Sequence, residues 1–162
     1  MTNKIDIRPI EKEDDLAISK IIRSVLIEFG ANIKGTTYYD AATDAMTAAY
    51  QAENAVYYVA RLNGKIIGGG GVNPLKKDEK EICELQKMYL LPKARGLKIG
   101  YQIMVQCLDF AKSKGYTNCY LETFPTMKGA ISFYKKLGFK HLKDRLVSSC
   151  HESCNIWMIK TL

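Results

Sequence analysis

The sequence has 162 residues and lacks any apolar run near the roughly 20 residues that a membrane-spanning helix needs. Its first residues, Met1 to Asp6, also lack the apolar core of a secretory signal peptide. No segment repeats at the spacing of a solenoid, and none is of low complexity. These absences argue against a membrane protein and a repeat protein, and they predict a cytoplasmic protein.

Paired cysteines and a catalytic histidine are also missing. The five cysteines are an odd set without a CxxC pair, so neither a disulfide framework nor a zinc ribbon is indicated. Cys150, His151 and Cys154 supply three soft ligands but have no fourth beside them. His141 and His151 have no neighbouring serine or acid arranged as a relay. We therefore expect reduced thiols, no metal and no triad chemistry.

The net charge of +7 attracts polyanions in general. The lysines, however, are scattered and are not interleaved with the aromatic platform or reading helix of a nucleic-acid module. We expect no nucleic-acid partner, although charge alone keeps nucleic-acid binding as a rival interpretation. The composition, with 47% hydrophobic and 25% charged residues, is that of an ordinary globular protein and predicts one domain over residues 1–162.

Apolar periodicity predicts a mixed secondary structure. A spacing of three and four predicts helices at 11–29, 40–51, 99–114 and 127–137, the first ending at Gly30 and the third at Gly115. Alternation predicts strands at 4–8, 56–62, 65–72, 81–90, 118–124, 140–147 and 155–159. Asn63-Gly64 predicts a two-residue hairpin turn, and the alternation breaks near Lys87 and Met88 as a bulge would break it. The order predicts an α+β (mixed α/β) fold with helices on both faces of a sheet.

The segment from Leu90 to Gly100 carries the clearest chemical signal. A strand ends there and a glycine-containing loop turns into a helix, whose first amide groups have no partner within the helix and favour phosphate. Gly96 and Gly100 allow close approach of a ligand to the backbone, and three basic residues, Lys93, Arg95 and Lys98, add charge. The segment matches neither a Walker loop nor the dinucleotide motif GxGxxG.

Two motifs, one in this segment and one further along the chain, resemble those of a known family. Residues 95–100 resemble the pyrophosphate motif Q/R-x-x-G-x-G/A of the GNAT superfamily N-acetyltransferases, and residues 130–139 are similar to its second signature, AxxFYxxxGF. The sequence departs from the family at two positions. Lys98 stands where the first glycine of the motif is usual, and Met127 stands where many members carry asparagine.

The resemblance implies a mostly antiparallel twisted sheet of about seven strands, splayed between strands 4 and 5. It implies direct transfer of acetyl from acetyl-CoA, without a metal, to a primary amine of a small molecule or a protein. A homodimer is compatible with it, and so is an alternative function as a non-catalytic acyl-CoA-binding or regulatory module. The expected cofactor-binding residues are Met88, Leu90, Arg95, Gly96, Leu97, Lys98, Ile99, Gly100 and Tyr101.

The resemblance also suggests catalytic residues. Tyr134 is the expected acid, because a phenol of pKa about 10 stays protonated beside a thiol of about 8.5. The backbone N–H of Met88 is expected to stabilise the oxyanion. Glu84 is the expected base, with Glu122, or no base at all, as alternatives. Acceptor contacts are expected from the first helices and the following loop, at Glu28, Tyr38, Tyr39 and Asp40.

Overall fold

The computed structural model describes residues 2–147 and 153–162, and its centre is a seven-stranded sheet. Cys150 and His151 lie outside the described residues. The strands are β1 (Ile5–Pro9), β2 (Val56–Leu62), β3 (Lys65–Pro74), β4 (Ile82–Leu90), β5 (Asn118–Thr123), β6 (Lys140–His141) and β7 (Ile156–Thr161). Their order is β1-β2-β3-β4-β5-β7-β6, and of the neighbouring pairs described only β4 and β5 run parallel. The predicted mostly antiparallel sheet is confirmed.

In the described part of the chain, four α-helices cover the sheet: α1 (Asp15–Glu28), α2 (Met46–Ala49), α3 (Ile99–Ser113) and α4 (Lys128–Lys136). Short 3-10 turns lie at Lys12–Asp14, Thr37–Tyr39, Ala41–Asp44 and Pro92–Ala94. One core cluster gathers the apolar faces of α3 and α4, and a second gathers those of α1 and α2. The helices therefore pack on both faces, as predicted. Among the described residues, no helix combines the length and the apolar character needed to cross a membrane.

Two of the predicted elements are wrong in extent. The second helix, predicted over 40–51, is a 3-10 turn at Ala41–Asp44 and a four-residue α2, interrupted at Ala45. The backbone leaves the helical conformation at Ala45, with φ of −138° and ψ of 53°, while the hydroxyl of Thr43 donates to the carbonyl of Thr37 at 2.8 Å and fastens the preceding turn. The strand predicted over 140–147 ends at His141, and Arg145 then turns inward to donate to the carbonyl of Cys154 at 2.7 Å.

The two central parallel strands separate after a short pairing. Within the described sheet, Ile82, Cys83 and Glu84 of β4 pair with Asn118, Cys119 and Tyr120 of β5, and the pairing ends there. Beyond Glu84, β4 continues to Leu90 and remains bonded to β3 on its other side. This arrangement confirms the predicted splay, and it opens a gap between β4 and β5.

Candidate active site

A cleft of about 630 Å³ lies at the end of β4, bounded by the start of α3 and by α4. Eight of the nine expected cofactor-binding residues line it; Leu97 is the exception and is 40% exposed. Tyr134 lines it as well, whereas Glu28, Tyr38, Tyr39 and Glu84 are not among its described lining residues. The lining residues that the structure describes are Val25, Phe29, Met88, Tyr89, Leu90, Ala94, Arg95, Gly96, Lys98, Ile99, Gly100, Tyr101, Met127, Gly129, Ala130, Phe133 and Tyr134.

The β4–α3 loop, residues 91–98, delivers the start of α3 to this cleft. Gly96 has a φ of 78° and Lys98 a φ of 59°, both in the left-handed region that favours glycine. Lys98 therefore adopts a backbone conformation that glycine adopts without cost. From there α3 begins, with the side chain of Ile99 fully buried and the backbone of Gly100 packed against β4. The amide groups of the first turn and the helix dipole give this end a partial positive charge.

Arg95 does not extend freely from this loop. Its Nη1 and Nη2 donate to Oε1 and Oε2 of Glu28, at the end of α1, at 2.6 and 2.8 Å. The hydrogen bond from Arg95, stronger than the opposing effect of burial, lowers the pKa of Glu28. The structure thus joins an expected cofactor-binding residue to an expected acceptor contact 67 positions away in the sequence.

A bulge in β4 borders the same cleft. Gln86 and Tyr89 pair with β3, and the register passes over Lys87 and Met88 in the described sheet. Lys87 has a φ of 49°, and its carbonyl accepts a hydrogen bond from the hydroxyl of Tyr57 at 2.8 Å. The bulge predicted from the broken alternation is confirmed. Tyr57 was missed, because nothing in the sequence connects β2 to the bulge.

Tyr134 reaches the cleft from α4 and is 6% exposed. Its ring packs between Phe133 and Phe139, with centroids at 5.8 Å from each. Burial raises the pKa of its hydroxyl well above the ordinary value of 10. The side chain is therefore a protonated phenol, and not a phenolate, at neutral pH.

Charged groups gather on the α1 face of the sheet, close to where β4 and β5 part. Glu84 occupies the last position paired with β5, opposite Tyr120. Glu122, two residues further along β5, has a side chain that is only 2% exposed, and its Oε2 lies 3.1 Å from Nε of Arg145. Nζ of Lys87, in the bulge, lies 4.0 Å from the carboxylate of Asp40. Local sequence patterns do not indicate that Arg145 lies here or that Lys87 faces Asp40.

The expected acceptor loop forms the 3-10 turn Thr37–Tyr39 beside α1. The rings of Tyr38 and Tyr39 meet edge to face with centroids 5.1 Å apart, and Tyr39 is 62% exposed. Arg23 of α1 donates to the carbonyl of Tyr38 at 3.1 Å and holds the turn in place. The two rings are therefore presented at the surface by a fixed segment.

The cysteines that the structure describes, Cys83, Cys107, Cys119 and Cys154, are all buried. Burial raises the pKa of Cys107 well above its ordinary value and that of Cys154 to about 12. Both stay thiols at neutral pH, which makes them poor nucleophiles and metal ligands. Among the described residues, no group of three or more His, Cys, Asp or Glu side chains could hold a metal ion.

Known proteins are similar to this chain in sequence and in fold. The profile of the Acetyltransferase (GNAT) family matches residues 26–139. The uncharacterized N-acetyltransferase YjgM of Escherichia coli strain K12 is 36% identical over 96% of this chain and 93% of its own length. A GNAT-family acetyltransferase of Staphylococcus aureus has the same fold, with a TM-score of 0.85 and 22% identity over 98% of this chain and 99% of its own.

A third protein has been solved with a ligand. The putative acetyltransferase yncA of Salmonella typhimurium, described with its cofactor acetyl-CoA, has a TM-score of 0.77 and 19% identity over 97% of this chain and 93% of its own. At that identity the likeness shows the fold alone. Together with the family match over residues 26–139, it agrees with the resemblance read from the two motifs. The chain belongs to the GNAT acetyltransferase family.

Proposed function

We propose that this chain, as one domain over residues 1–162, transfers the acetyl group of acetyl-CoA directly to a primary amine in the cytoplasm. One observation carries the proposal: a single cleft brings together the start of α3, the β4 bulge and Tyr134. The start of α3 would bind phosphate, the bulge would offer backbone N–H donors, and Tyr134 would offer a protonated phenol. The acetyl-CoA bound by the Salmonella relative supports the choice of donor.

The start of α3 fits the pyrophosphate of coenzyme A. Its first amide groups, the left-handed Gly96 and Lys98 and the lysine's positive charge favour an anion at this position. Lys98 supplies charge where the family usually has glycine, and its φ of 59° keeps the loop geometry. The backbone of Met88 and Leu90 would hold the pantetheine arm alongside β4. When bound, acetyl-CoA supplies the reactive thioester.

The β4 bulge would stabilise the charge that develops on the thioester oxygen. Because the β3–β4 register passes over Lys87 and Met88, the N–H of Met88 is directed by the bulge and not by the regular ladder. A donor fixed in this way costs little reorganisation when charge develops. We assign this role to Met88.

Tyr134 would protonate the leaving group. As the amine nitrogen forms its bond to the carbonyl carbon, the carbon–sulfur bond breaks and its electron pair goes to sulfur. The hydroxyl of Tyr134 donates its proton there, coenzyme A leaves as a thiol, and solvent restores the proton. Burial raises the pKa of Tyr134, which keeps the phenol protonated across the neutral range, as a hydrogen-bond donor to the departing sulfur requires.

The proton that the amine loses would pass through water to Glu84. This carboxylate lies on β4 at the last position paired with β5, where the strands begin to part. Glu122, the alternative base, has a side chain that is only 2% exposed and lies 3.1 Å from Arg145, so water reaches it less readily than it reaches the half-buried Glu84. These observations favour Glu84.

The acceptor would approach from the side of α1. Tyr38 and Tyr39 stand on a fixed turn there and are suited to contact it, and the Lys87–Asp40 pair lies between that turn and the bulge. These groups do not distinguish a small amine from a protein lysine. The choice requires a panel that contains both.

The test is release of coenzyme A thiol from acetyl-CoA on addition of amines, with mass spectrometry of the acetylated product. The panel should include polyamines, amino acids, aminoglycosides and lysine peptides. Stabilisation of the protein by acetyl-CoA, measured by thermal unfolding, tests the donor separately. Binding of acetyl-CoA without turnover on any amine would support the non-catalytic module, and absence of binding would overturn both functions.

A further inference from the structure

Arg95 makes further contacts besides its hydrogen bonds to Glu28. Its Nε and Nη2 also donate to the carbonyl of Leu90, the last residue of β4, at 3.2 and 2.9 Å. Its guanidinium carbon lies 5.3 Å from the ring centroid of Phe29. Four hydrogen bonds to Glu28 and Leu90 thus use four of the five N–H groups that an arginine possesses.

These contacts tie three pieces of the cleft together. Leu90 ends β4, Glu28 ends α1, and Arg95 belongs to the β4–α3 loop, directly before Gly96. Paired, planar contacts of this kind fix direction as well as distance. The guanidinium therefore sets where the loop leaves β4, and with it where the start of α3 faces the cleft.

We infer that Arg95 is a positioning residue and not a ligand of the pyrophosphate, and that Glu28 acts through it. This inference rests on the proposed binding of acetyl-CoA. The α3 amides and Lys98 carry the phosphate charge, while the Glu28–Arg95–Leu90 bridge holds those groups in place. To reach a phosphate, Arg95 would have to give up a two-point bond to a carboxylate.

Replacement of Glu28 distinguishes the two possible roles of Arg95, because they predict opposite changes in the affinity for acetyl-CoA. If Arg95 binds phosphate, Glu28 competes with the cofactor for it, and Glu28→Gln tightens acetyl-CoA binding. If Arg95 positions the loop, Glu28→Gln loosens it and weakens binding. Glu53→Gln is the matched control, because Glu53 is exposed in the turn before β2 and its replacement changes the net charge equally.

The experiment measures acetyl-CoA dissociation constants by calorimetry for the wild type and for Glu28→Gln, Arg95→Gln, Arg95→Lys, the Glu28→Gln/Arg95→Gln double variant and Glu53→Gln. We expect Glu28→Gln to weaken binding roughly three- to fivefold, the range that a partly exposed ion pair supports. Arg95→Lys should behave like Arg95→Gln, because lysine keeps the charge but loses the paired geometry. The double variant should bind no more weakly than Arg95→Gln, and Glu53→Gln should bind like the wild type.

Equal or tighter binding by Glu28→Gln would overturn the positioning role, as would wild-type affinity in Arg95→Lys or additive losses in the double variant. Thermal unfolding of each variant without ligand shows whether a loss of affinity merely follows a loss of folded protein. Glu28 and Arg95 are more than a third exposed, so we expect these unfolding temperatures to stay close to that of the wild type. Absence of acetyl-CoA binding by the wild type would instead refute the proposed function.

Discussion

The hydroxyl of Tyr57, on β2, donates a hydrogen bond to the carbonyl oxygen of Lys87 in the β4 bulge at 2.8 Å. Tyr57 is 1% exposed and β3 lies between the two strands, so this contact crosses the sheet beneath the glycine run of β3. A methyl group on Gly69 or Gly71 would collide with the ring of Tyr57. The run of glycines in β3, residues 68–71, thus makes room for the side chain that holds the bulge.

Tyr57→Phe should loosen the bulge without removing the ring. We expect a loss of about 1 kcal/mol in the free energy of unfolding. We also expect a fall of at least about tenfold in kcat, because the proposed oxyanion donor shifts. Tyr116→Phe is the matched control, since Tyr116 is a buried tyrosine that donates to the carbonyl of Asn54 at 2.9 Å, away from the cleft. An equal loss of kcat in both variants would refute the specific role of Tyr57.

Tyr134→Phe should reduce kcat by about a hundredfold, the scale of one general acid. The KM for acetyl-CoA should change little, because the phenyl ring keeps its packing between Phe133 and Phe139. Steady-state assays with the best amine of the panel provide the measurement. Turnover equal to that of the wild type would mean that Tyr134 is not the acid and that solvent protonates the leaving thiolate.

The sequence predicts those parts of the fold that depend on neighbouring residues. The Asn63-Gly64 turn has φ values of 52° and 81°, and Gly115, just after the end of α3, has a φ of 87°, as local turn chemistry requires. The second helix was predicted too long, because periodicity does not reveal that the backbone leaves the helical conformation at Ala45.

The contacts that shape the site are distant in sequence and were not predictable. The Glu28–Arg95 pair spans 67 positions, and the Tyr57–Lys87 bond spans 30. No local pattern connects the two members of either pair. The two motifs predict where the cofactor would bind, because the backbone chemistry of that segment is local to one strand-loop-helix turn, whereas the groups that orient the segment come from α1 and β2.

Lys98→Gly should stabilise the fold and weaken cofactor binding. Lysine at a φ of 59° bears a left-handed backbone cost that glycine avoids, so we expect a gain of about 1 kcal/mol in the free energy of unfolding. The lost charge should weaken acetyl-CoA binding. Lys98→Ala is the comparison, because it removes the charge without relieving the backbone. Denaturant unfolding and calorimetry test both effects, and a Lys98→Gly variant no more stable than Lys98→Ala would contradict the explanation.

Asp15→Asn should destabilise the protein by about 1–3 kcal/mol at neutral pH, the worth of hydrogen bonds to a buried charge. Asp15 is 6% exposed; its Oδ1 accepts from the N–H and hydroxyl of Thr47 at 2.8 and 2.7 Å, and Lys12 donates to its Oδ2 at 2.9 Å. These bonds join α1 to α2. Asp109→Asn, at an exposed position on α3, should leave stability nearly unchanged.

The effect of Asp15 should depend on pH. Burial raises its pKa, but the bonds from Thr47 and Lys12 outweigh burial and hold the pKa below the ordinary value of 3.8. A carboxyl whose pKa is lower in the folded state stabilises the protein above the unfolded pKa, and that contribution is lost as pH falls through the folded one. The difference between wild type and Asp15→Asn in urea unfolding should therefore be constant from pH 7 to about 5 and shrink below about 4. A difference that grows on acidification would be inconsistent with this sign.

Gly100 offers a graded test of the space at the start of α3. A methyl group there would lie 3.4 Å from Cδ1 of Leu90 and 3.7 Å from Cε of Met88, which is ordinary contact. Gly100→Ala should therefore keep acetyl-CoA binding and gain up to about 1 kcal/mol of stability from helix propensity. Gly100→Leu retains that propensity but extends the side chain toward β4, where the pantetheine arm is proposed to lie.

The two variants separate a fold effect from a site effect, because both are good helix formers and only leucine is large enough to fill the space beside β4. We expect Gly100→Leu to weaken acetyl-CoA binding by more than about tenfold, or about 1.4 kcal/mol, while remaining folded in thermal unfolding. Calorimetry with acetyl-CoA measures the difference. Equal affinity in Gly100→Ala and Gly100→Leu would mean that the arm does not pass this position, and the assignment of Met88 and Leu90 to cofactor binding would have to be abandoned.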